Sequence, residues 1–224
     1  APVIPKSGSE VNLLHCTIFG FTLTFQTLQK YLSMSQIAVI GLGRFGSAVA
    51  LELVRLGHKV IGIDSRERLV DAVADELAHA VIADATDESA LAELDLKNYD
   101  TVVVAIGESL EASLLCVLNC KNLGVKEIWV KATSKSHHAI LSRLGVSRII
   151  HPEEEMGIRV AQSLNYPMVN QYMYIGHHTF VIELTIPEKL EGKTIDNILG
   201  STEQVKPIVL KRKSEVISTP NKIT

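Results

Sequence analysis

The chain has 224 residues, 46 % of them apolar, and a formal net charge of -3 from 22 basic and 25 acidic side chains. That composition supplies one large core, or a medium domain plus a small one, and leaves no basic stripe of the kind that binds nucleic acid. The three cysteines, Cys16, Cys116 and Cys120, form neither a disulfide framework nor a zinc set, which suits a reducing cytosol.

The first 33 residues read differently from the rest. Val11 to Gln29 carries no Asp, Glu, Lys or Arg, yet Thr and Gln interrupt it, and no apolar run of about 18 residues marks a membrane span. Lys6 is the only early Lys or Arg and no small-residue cleavage site stands out, so a signal peptide is not indicated. Residues 1–33 are expected to be a poorly ordered or non-native extension, with the folded chain starting at Met34.

From there strand and helix patterns alternate. Residues 37–40 are an apolar strand, followed by Gly41-Leu42-Gly43-Arg44-Phe45-Gly46 and a helix over 45–56. Residues 59–63 form a second strand closed by Asp64. Glu67 to Glu76 is a helix, and 79–84 is a third strand running into Asp84-Ala85-Thr86-Asp87. A helix over 88–94 follows, in which Thr86 or Asp87 suits the N-cap. Residues 101–106 are fully apolar, as a central parallel strand should be, and lead into Gly107-Glu108-Ser109. A long helix ends near Asn122, 127–132 is a fifth strand, 136–144 a helix and 148–150 a sixth strand. Pro152 then opens a helix with three acids in its first turn, running to Leu164. Asn165-Tyr166-Pro167 reads as a linker. Beyond it lie a strand over 179–186, a short helix over 193–199, and short strands at 208–210 and 216–217. The expected fold is α/β, a Rossmann-like doubly wound parallel sheet over 34–164, followed by a small α+β lobe over 165–224.

Strand, glycine turn, helix, strand and terminal carboxylate together make a dinucleotide-type fingerprint in its proper setting. Gly41 permits the tight turn, Gly43 lets a phosphate approach the backbone, and Gly46 lets the helix pack close to the sheet. The N–H groups of the first helical turn and the helix dipole then hold the anion. Asp64 lies 18 residues after Gly46, where a carboxylate accepts from ribose hydroxyls. It argues against a 2′-phosphate, although Arg66, one residue past Ser65, makes that exclusion imperfect. Asp84, Ala85 and Thr86 fall at the adenine end of the site, and Ile106, Gly107 and Glu108 at the switch point of the sheet. Arg44 reads either as a bidentate partner for a terminal phosphate or as a solvated charge at a loop tip. No Gly-Lys-Ser/Thr follows the glycines, so the motif is not a P-loop.

The motifs at 41–46, Val-Ile-Gly-Ile-Asp at 60–64, Val-Ala-Ile-Gly at 104–107 and Ile-Trp-Val-Lys-Ala at 128–132 resemble one known family. So do Ile-Ile-His-Pro-Glu at 149–153 and Met-Gly-Ile-Arg-Val-Ala-Gln-Ser-Leu from 156. The chain is similar to the cytosolic regulatory subunits of bacterial Ktr/Trk potassium-uptake systems, the RCK/KTN nucleotide-binding family, and most to the Ktr type. The resemblance implies a cytoplasmic homo-oligomer, dimer-based and octameric, held at the inner face of the membrane by a separate potassium-translocating subunit. It implies ATP or ADP at the glycine turn, with Arg44 toward the γ-phosphate, Asp64 on the ribose and Lys131 within the ligand site, and a nucleotide-driven change of ring shape. It also implies a divalent cation, magnesium or calcium, at Glu153, which otherwise reads as helix-dipole compensation. The helix over 152–164 becomes the crossover between subunits. Family C-terminal lobes continue past the position of Pro220, so the lobe here is expected to be incomplete.

Two other readings compete. NAD fits the fingerprint and Asp64, but about 60 residues after the Rossmann unit are few for a catalytic domain, and no Tyr has a Lys four residues on. An NADH-sensing DNA-binding protein needs a basic recognition helix, and none is visible. Neighbouring histidines, His137-His138 and His177-His178, point about 100° apart on a helix and make poor joint metal ligands.

Overall fold

The computed structural model describes residues 16–18, 21–23, 34–165, 169–177, 179–190, 192–194, 197–198, 208, 210–212 and 215–217. The chain divides into two compact units, Ala1–Pro152 and Glu153–Thr224. Most of the N-terminal extension lies outside the described residues. Within it, β1 (Cys16–Ile18) and β2 (Phe21–Leu23) pair antiparallel, a hairpin not foreseen in a segment expected to lack order. Thr17, Ile18, Phe21 and Thr22 are β-branched or aromatic, the side chains that favour an extended pair.

The first unit is built on a six-stranded sheet. Its strands are β3 (Gln36–Ile40), β4 (Lys59–Asp64), β5 (His79–Ile82), β6 (Thr101–Val104), β7 (Ile128–Lys131) and β8 (Arg148–Ile150). They lie in the order β5-β4-β3-β6-β7-β8, every neighbouring pair parallel. The chain therefore builds outward from β3 on one side, returns, and builds outward from β6 on the other. The connecting helices are α1 (Arg44–Arg55), α2 (Glu67–Asp71), α3 (Glu88–Ala92), α4 (Leu110–Asn122) and α5 (Lys135–Leu144). This is the doubly wound Rossmann arrangement that the alternating pattern predicts.

The period-2 geometry of the strands sorts the core onto two faces. Ala38, Ile40, Ile61, Ile63, Val102, Val104, Ile128 and Val130 pack with Leu91, Cys116, Val117, Cys120 and Leu141. Ile37, Val39, Val60 and Val103 pack on the other side with Ala50, Val70, Val73 and Leu77. The Cys116 and Cys120 thiols are buried and unbridged, and the hydrogen bond between them, together with burial, pushes the Cys116 thiol up. Helix starts follow ordinary capping: Asp87, Ser109 and Ser134 each accept a backbone N–H of their own first turn.

Several boundaries shift from the sequence expectation. β5 and β6 stop at Ile82 and Val104, because the chain leaves the ladder where it enters the loops of the sheet edge. The helix after β4 is regular only to Asp71. It then tightens into bonds between residues three apart, Val73 to Val70 and Glu76 to Val73, while Val73 and Leu77 are both buried.

In the second unit, α6 (Pro152–Asn165) leads to an antiparallel pair, β9 (Val169–Gly176) and β10 (Thr179–Leu184). β9 was not among the expected elements, although Val169, Tyr172, Tyr174 and Ile175 are of the β-branched or aromatic kind that favours strands; it pairs antiparallel with β10. A second antiparallel pair, β11 (Leu210–Arg212) and β12 (Glu215–Ile217), corresponds to the strands expected at 208–210 and 216–217, with bounds shifted by one or two residues. Of the helix expected over 193–199, only 197–198 is helical among the described residues. The expected linker at 166–167 and the end of the lobe lie outside them.

Candidate functional site

The carboxyl ends of β3 and β6 are adjacent strands whose connections run in opposite directions, and the loop between β3 and α1 sits at that switch point. Gly41 adopts φ +94°, and a Cβ there would stand 3.0 Å from the Ala105 carbonyl carbon and the Ile106 nitrogen. Its own N–H donates to the Ile63 carbonyl at 2.7 Å, so the turn is tied to the neighbouring strand. A Cβ on Gly46 would lie 1.8 Å from the Gly41 carbonyl oxygen. These two glycines are required by the protein itself.

Gly43 is different. Its backbone is extended, φ -66° and ψ -173°, and nothing lies within 4 Å of the place a Cβ would take. No internal contact calls for glycine here, whereas an anion lying on the backbone does. Gly43 also caps α1 without any side-chain acceptor, and the first turn of that helix carries no acid. Its leading N–H groups and the positive end of its dipole therefore meet the crevice without a protein carboxylate in the way. Leu42 is buried in the core, which fixes the turn from below, while Arg44 is exposed at the first helical position.

Asp64 closes β4 and is buried. One carboxylate oxygen, Oδ2, accepts the Leu42 N–H at 2.8 Å; the other, Oδ1, accepts the Arg66 N–H at 3.0 Å and the Arg66 Nε at 3.1 Å. Burial alone pushes the carboxyl up, but the Arg66 guanidinium and the two backbone donors outweigh it and hold Asp64 below the ordinary carboxylate range. Arg66 Nη1 meanwhile donates to both Glu108 oxygens, at 2.8 and 2.9 Å. The two carboxylates raise the Arg66 guanidinium above its usual value. Arg66 thus links the end of β4 to the loop after β6. Ser65, between the two, is exposed.

On the far side of β6, Lys131 Nζ sits 5.7 Å from the centroid of the Phe45 ring, within cation–π range. A Cβ on Gly107 would be 3.2 Å from the same nitrogen. Phe45, Gly107 and Lys131, from three separate stretches of chain, are thereby gathered at one edge of the glycine turn, next to Ile106. At the end of β5, Asp84 Oδ1 accepts the Thr86 N–H at 2.9 Å and the Thr86 hydroxyl at 2.8 Å. The capping role falls to Asp87.

Asn119 was missed by sequence reasoning. Buried on α4, it donates Nδ2 to the Ala85 carbonyl at 3.2 Å and the Thr86 carbonyl at 3.0 Å, pinning the loop after β5. A lone Asn on the apolar face of a predicted helix was the available signal. The histidines also resolve apart from each other. His137 is buried, whereas His138 stacks on His151 with ring nitrogens 2.8 Å apart. Glu153 belongs to the second unit, exposed in the first turn of α6. Among the described residues no group of three or more His, Cys, Asp or Glu is placed to hold a metal ion. No helix among them is long and apolar enough to cross a membrane.

Fold and site together define a Rossmann-type domain with an open glycine turn at the uncapped head of its first helix. The TrkA-N domain family matches residues 37–152, the span that carries every one of these features but Glu153. The chain is 45 % identical over 160 residues to Ktr system potassium uptake protein A of Bacillus subtilis (strain 168), covering 71 % of this chain and 72 % of that protein. It is 39 % identical over 190 residues to Ktr system potassium uptake protein A of Vibrio alginolyticus, covering 84 % and 86 %. Ktr system potassium uptake protein C of Bacillus subtilis is 39 % identical over 186 residues, with 83 % and 84 % covered. The chain belongs to the TrkA-N-containing Ktr family of potassium uptake proteins. Among solved structures, the NAD(P)-binding domain of an exopolyphosphatase-related protein from Archaeoglobus fulgidus superposes with a TM-score of 0.52 at 23 % identity, over 58 % of this chain and 98 % of that one. The AMP-bound Kef C-terminal domain of Shewanella denitrificans gives 0.51 at 22 %, over 58 % and 82 %. Both likenesses are of fold.

Proposed function

We propose that this protein is the cytoplasmic regulatory subunit of a potassium-uptake system, and that adenine nucleotide bound at the glycine turn, ATP or ADP, sets its conformation. The observation that carries this reading is Gly43: an open, sterically unneeded glycine at the uncapped head of α1, next to Leu42, whose N–H donates to the buried Asp64 carboxylate at 2.8 Å. A pyrophosphate on those N–H groups and a ribose on Asp64 use each feature for what it suits. The family relationship supports potassium uptake as the process.

In this reading Arg44 distinguishes ATP from ADP by reaching the terminal phosphate, Lys131 adds a second positive charge beside Phe45 and Gly107, and Asp84, Ala85 and Thr86 border the adenine. Glu153 is the candidate for a divalent cation, magnesium or calcium. The protein works as a homo-oligomeric ring of dimers, octameric, peripheral to the membrane through a potassium-translocating partner. Nucleotide moves that ring only by the difference in its affinity for two conformations, on the order of 1–3 kcal/mol in common couplings.

Calorimetry with ATP, ADP and NAD tests the ligand. ATP and ADP are expected to bind more tightly than NAD, and Arg44→Ala to erase the ATP/ADP difference. NAD binding more tightly than either, with no effect at Arg44, returns the site to the NAD-binding reading. Potassium uptake measured with the membrane partner, with and without this subunit, tests the process.

A further inference from the structure

We propose that Glu108 sets the sugar specificity of the crevice, by withdrawing Arg66 from Asp64 when a plain ribose enters and by denying that same guanidinium to a 2′-phosphate. The inference rests on adenine nucleotide occupying the glycine turn.

The sequence alone leaves the matter undecided, because the carboxylate that ends β4 favours a free 2′-hydroxyl while an arginine two residues on is the usual partner of a 2′-phosphate. The structure shows where that arginine is committed. Its Nη1 holds both oxygens of Glu108, at 2.8 and 2.9 Å, and its Nε holds Asp64 Oδ1 at 3.1 Å. One guanidinium faces two carboxylates, so the group as a whole carries a net negative charge. An incoming 2′-phosphate meets that charge and must strip Arg66 from a bidentate partner.

A ribose diol meets a different situation. Asp64 is held in place by two backbone donors, Leu42 N–H on Oδ2 and Arg66 N–H on Oδ1. The bonds a ribose hydroxyl must replace are those from the Arg66 side chain, which is 45 % exposed. Glu108, 80 % exposed on the loop after β6, already carries the other end of the guanidinium. Arg66 therefore pivots onto Glu108 and opens Asp64 without losing its counter-charge. Such exposure also means that replacing Glu108 removes no packing.

The test uses the full chain and two ligands that differ only in the 2′-phosphate, AMP and adenosine 2′,5′-bisphosphate, each titrated in competition with ATP. The unmodified protein is expected to bind AMP at least tenfold more tightly than the bisphosphate. Glu108→Gln is expected to narrow that ratio at least fivefold, and to do so only while Arg66 is present, so that Arg66→Ala and the Arg66→Ala/Glu108→Gln pair give the same ratio. An unchanged ratio in Glu108→Gln, with ATP still bound, overturns the role of Glu108. An equal change in the absence of Arg66 also overturns it, since bulk charge then suffices. Failure of ATP to bind the unmodified protein overturns the nucleotide reading itself, and this inference with it.

Discussion

Asp64 serves the fold and the ligand with one carboxylate. Its Oδ2 accepts the Leu42 N–H at the base of the glycine turn, and its Oδ1 faces the movable Arg66 side chain. Asp64→Ala leaves the Leu42 N–H without its partner, so a loss of roughly 1–3 kcal/mol in urea denaturation is expected. Asp64→Asn keeps an acceptor there and is expected to cost less stability, yet to weaken ATP binding at least tenfold by calorimetry. Because the native carboxyl titrates below its unfolded value, the stability it supplies is present above about pH 4 and lost as the pH falls through the lower native value. Asp64→Asn should therefore flatten the acid limb of the stability curve. His137 behaves in the same sense at a higher pH. Burial, and then the neighbouring His151, lower its pKa, so the fold holds it neutral. Its contribution is complete above about pH 6.5 and declines as the solution is acidified below that. Denaturation at pH 7.5 and 5.5 should show a smaller difference for His137→Gln than for the unmodified chain.

At the scale of elements, the glycine turn separates what the fold needs from what a ligand needs. Gly46→Ala drives a Cβ to within 1.8 Å of the Gly41 carbonyl oxygen, so α1 must shift off the sheet; a loss of about 2–4 kcal/mol or failure to fold is expected. Gly43→Ala meets nothing within 4 Å and needs no special backbone angle, so the thermal midpoint should stay within a degree or two, or rise slightly. The same substitution should lower ATP affinity at least tenfold, because the methyl group takes the space of the phosphate. Equal nucleotide affinity in Gly43→Ala would sink the site. The loop after β5 depends on α4 in a comparable way. Asn119→Ala frees the Ala85 and Thr86 carbonyls from their side-chain donor, and a loss of about 1–3 kcal/mol is expected by urea denaturation.

For the whole molecule, the division at Pro152 and Glu153 places the glycine turn, Asp64, Arg66, Glu108 and Lys131 in one unit. A fragment of residues 34–152 should therefore fold cooperatively and bind ATP within about threefold of the full chain. Met156, Val160 and Leu164 recur every four residues along α6 and are 54 %, 51 % and 77 % exposed, an apolar stripe on a helix with no buried residue among those described. In the ring reading this stripe is covered by another copy. Val160→Glu should lower the oligomeric state in sedimentation while leaving ATP affinity of the folded chain unchanged.

Much of this was legible in the residues. Apolar runs four to six long, alternating with helical spacing, can satisfy their backbone and bury their side chains in few ways, and a parallel sheet with helices on both faces is the one that uses all of them. Gly41-Leu42-Gly43-Arg44-Phe45-Gly46 and Asp64 named the turn and the acid because both lie close in sequence to the strands that set them. What sequence could not say is which side chains meet across the switch point. Arg66 and Glu108 are 42 positions apart, Asn119 and Ala85 34 apart, and each pair exists only because β6 returns beside β3. Local pattern fixes what an element is and which face it buries; long-range contact decides how the charges at its ends are shared.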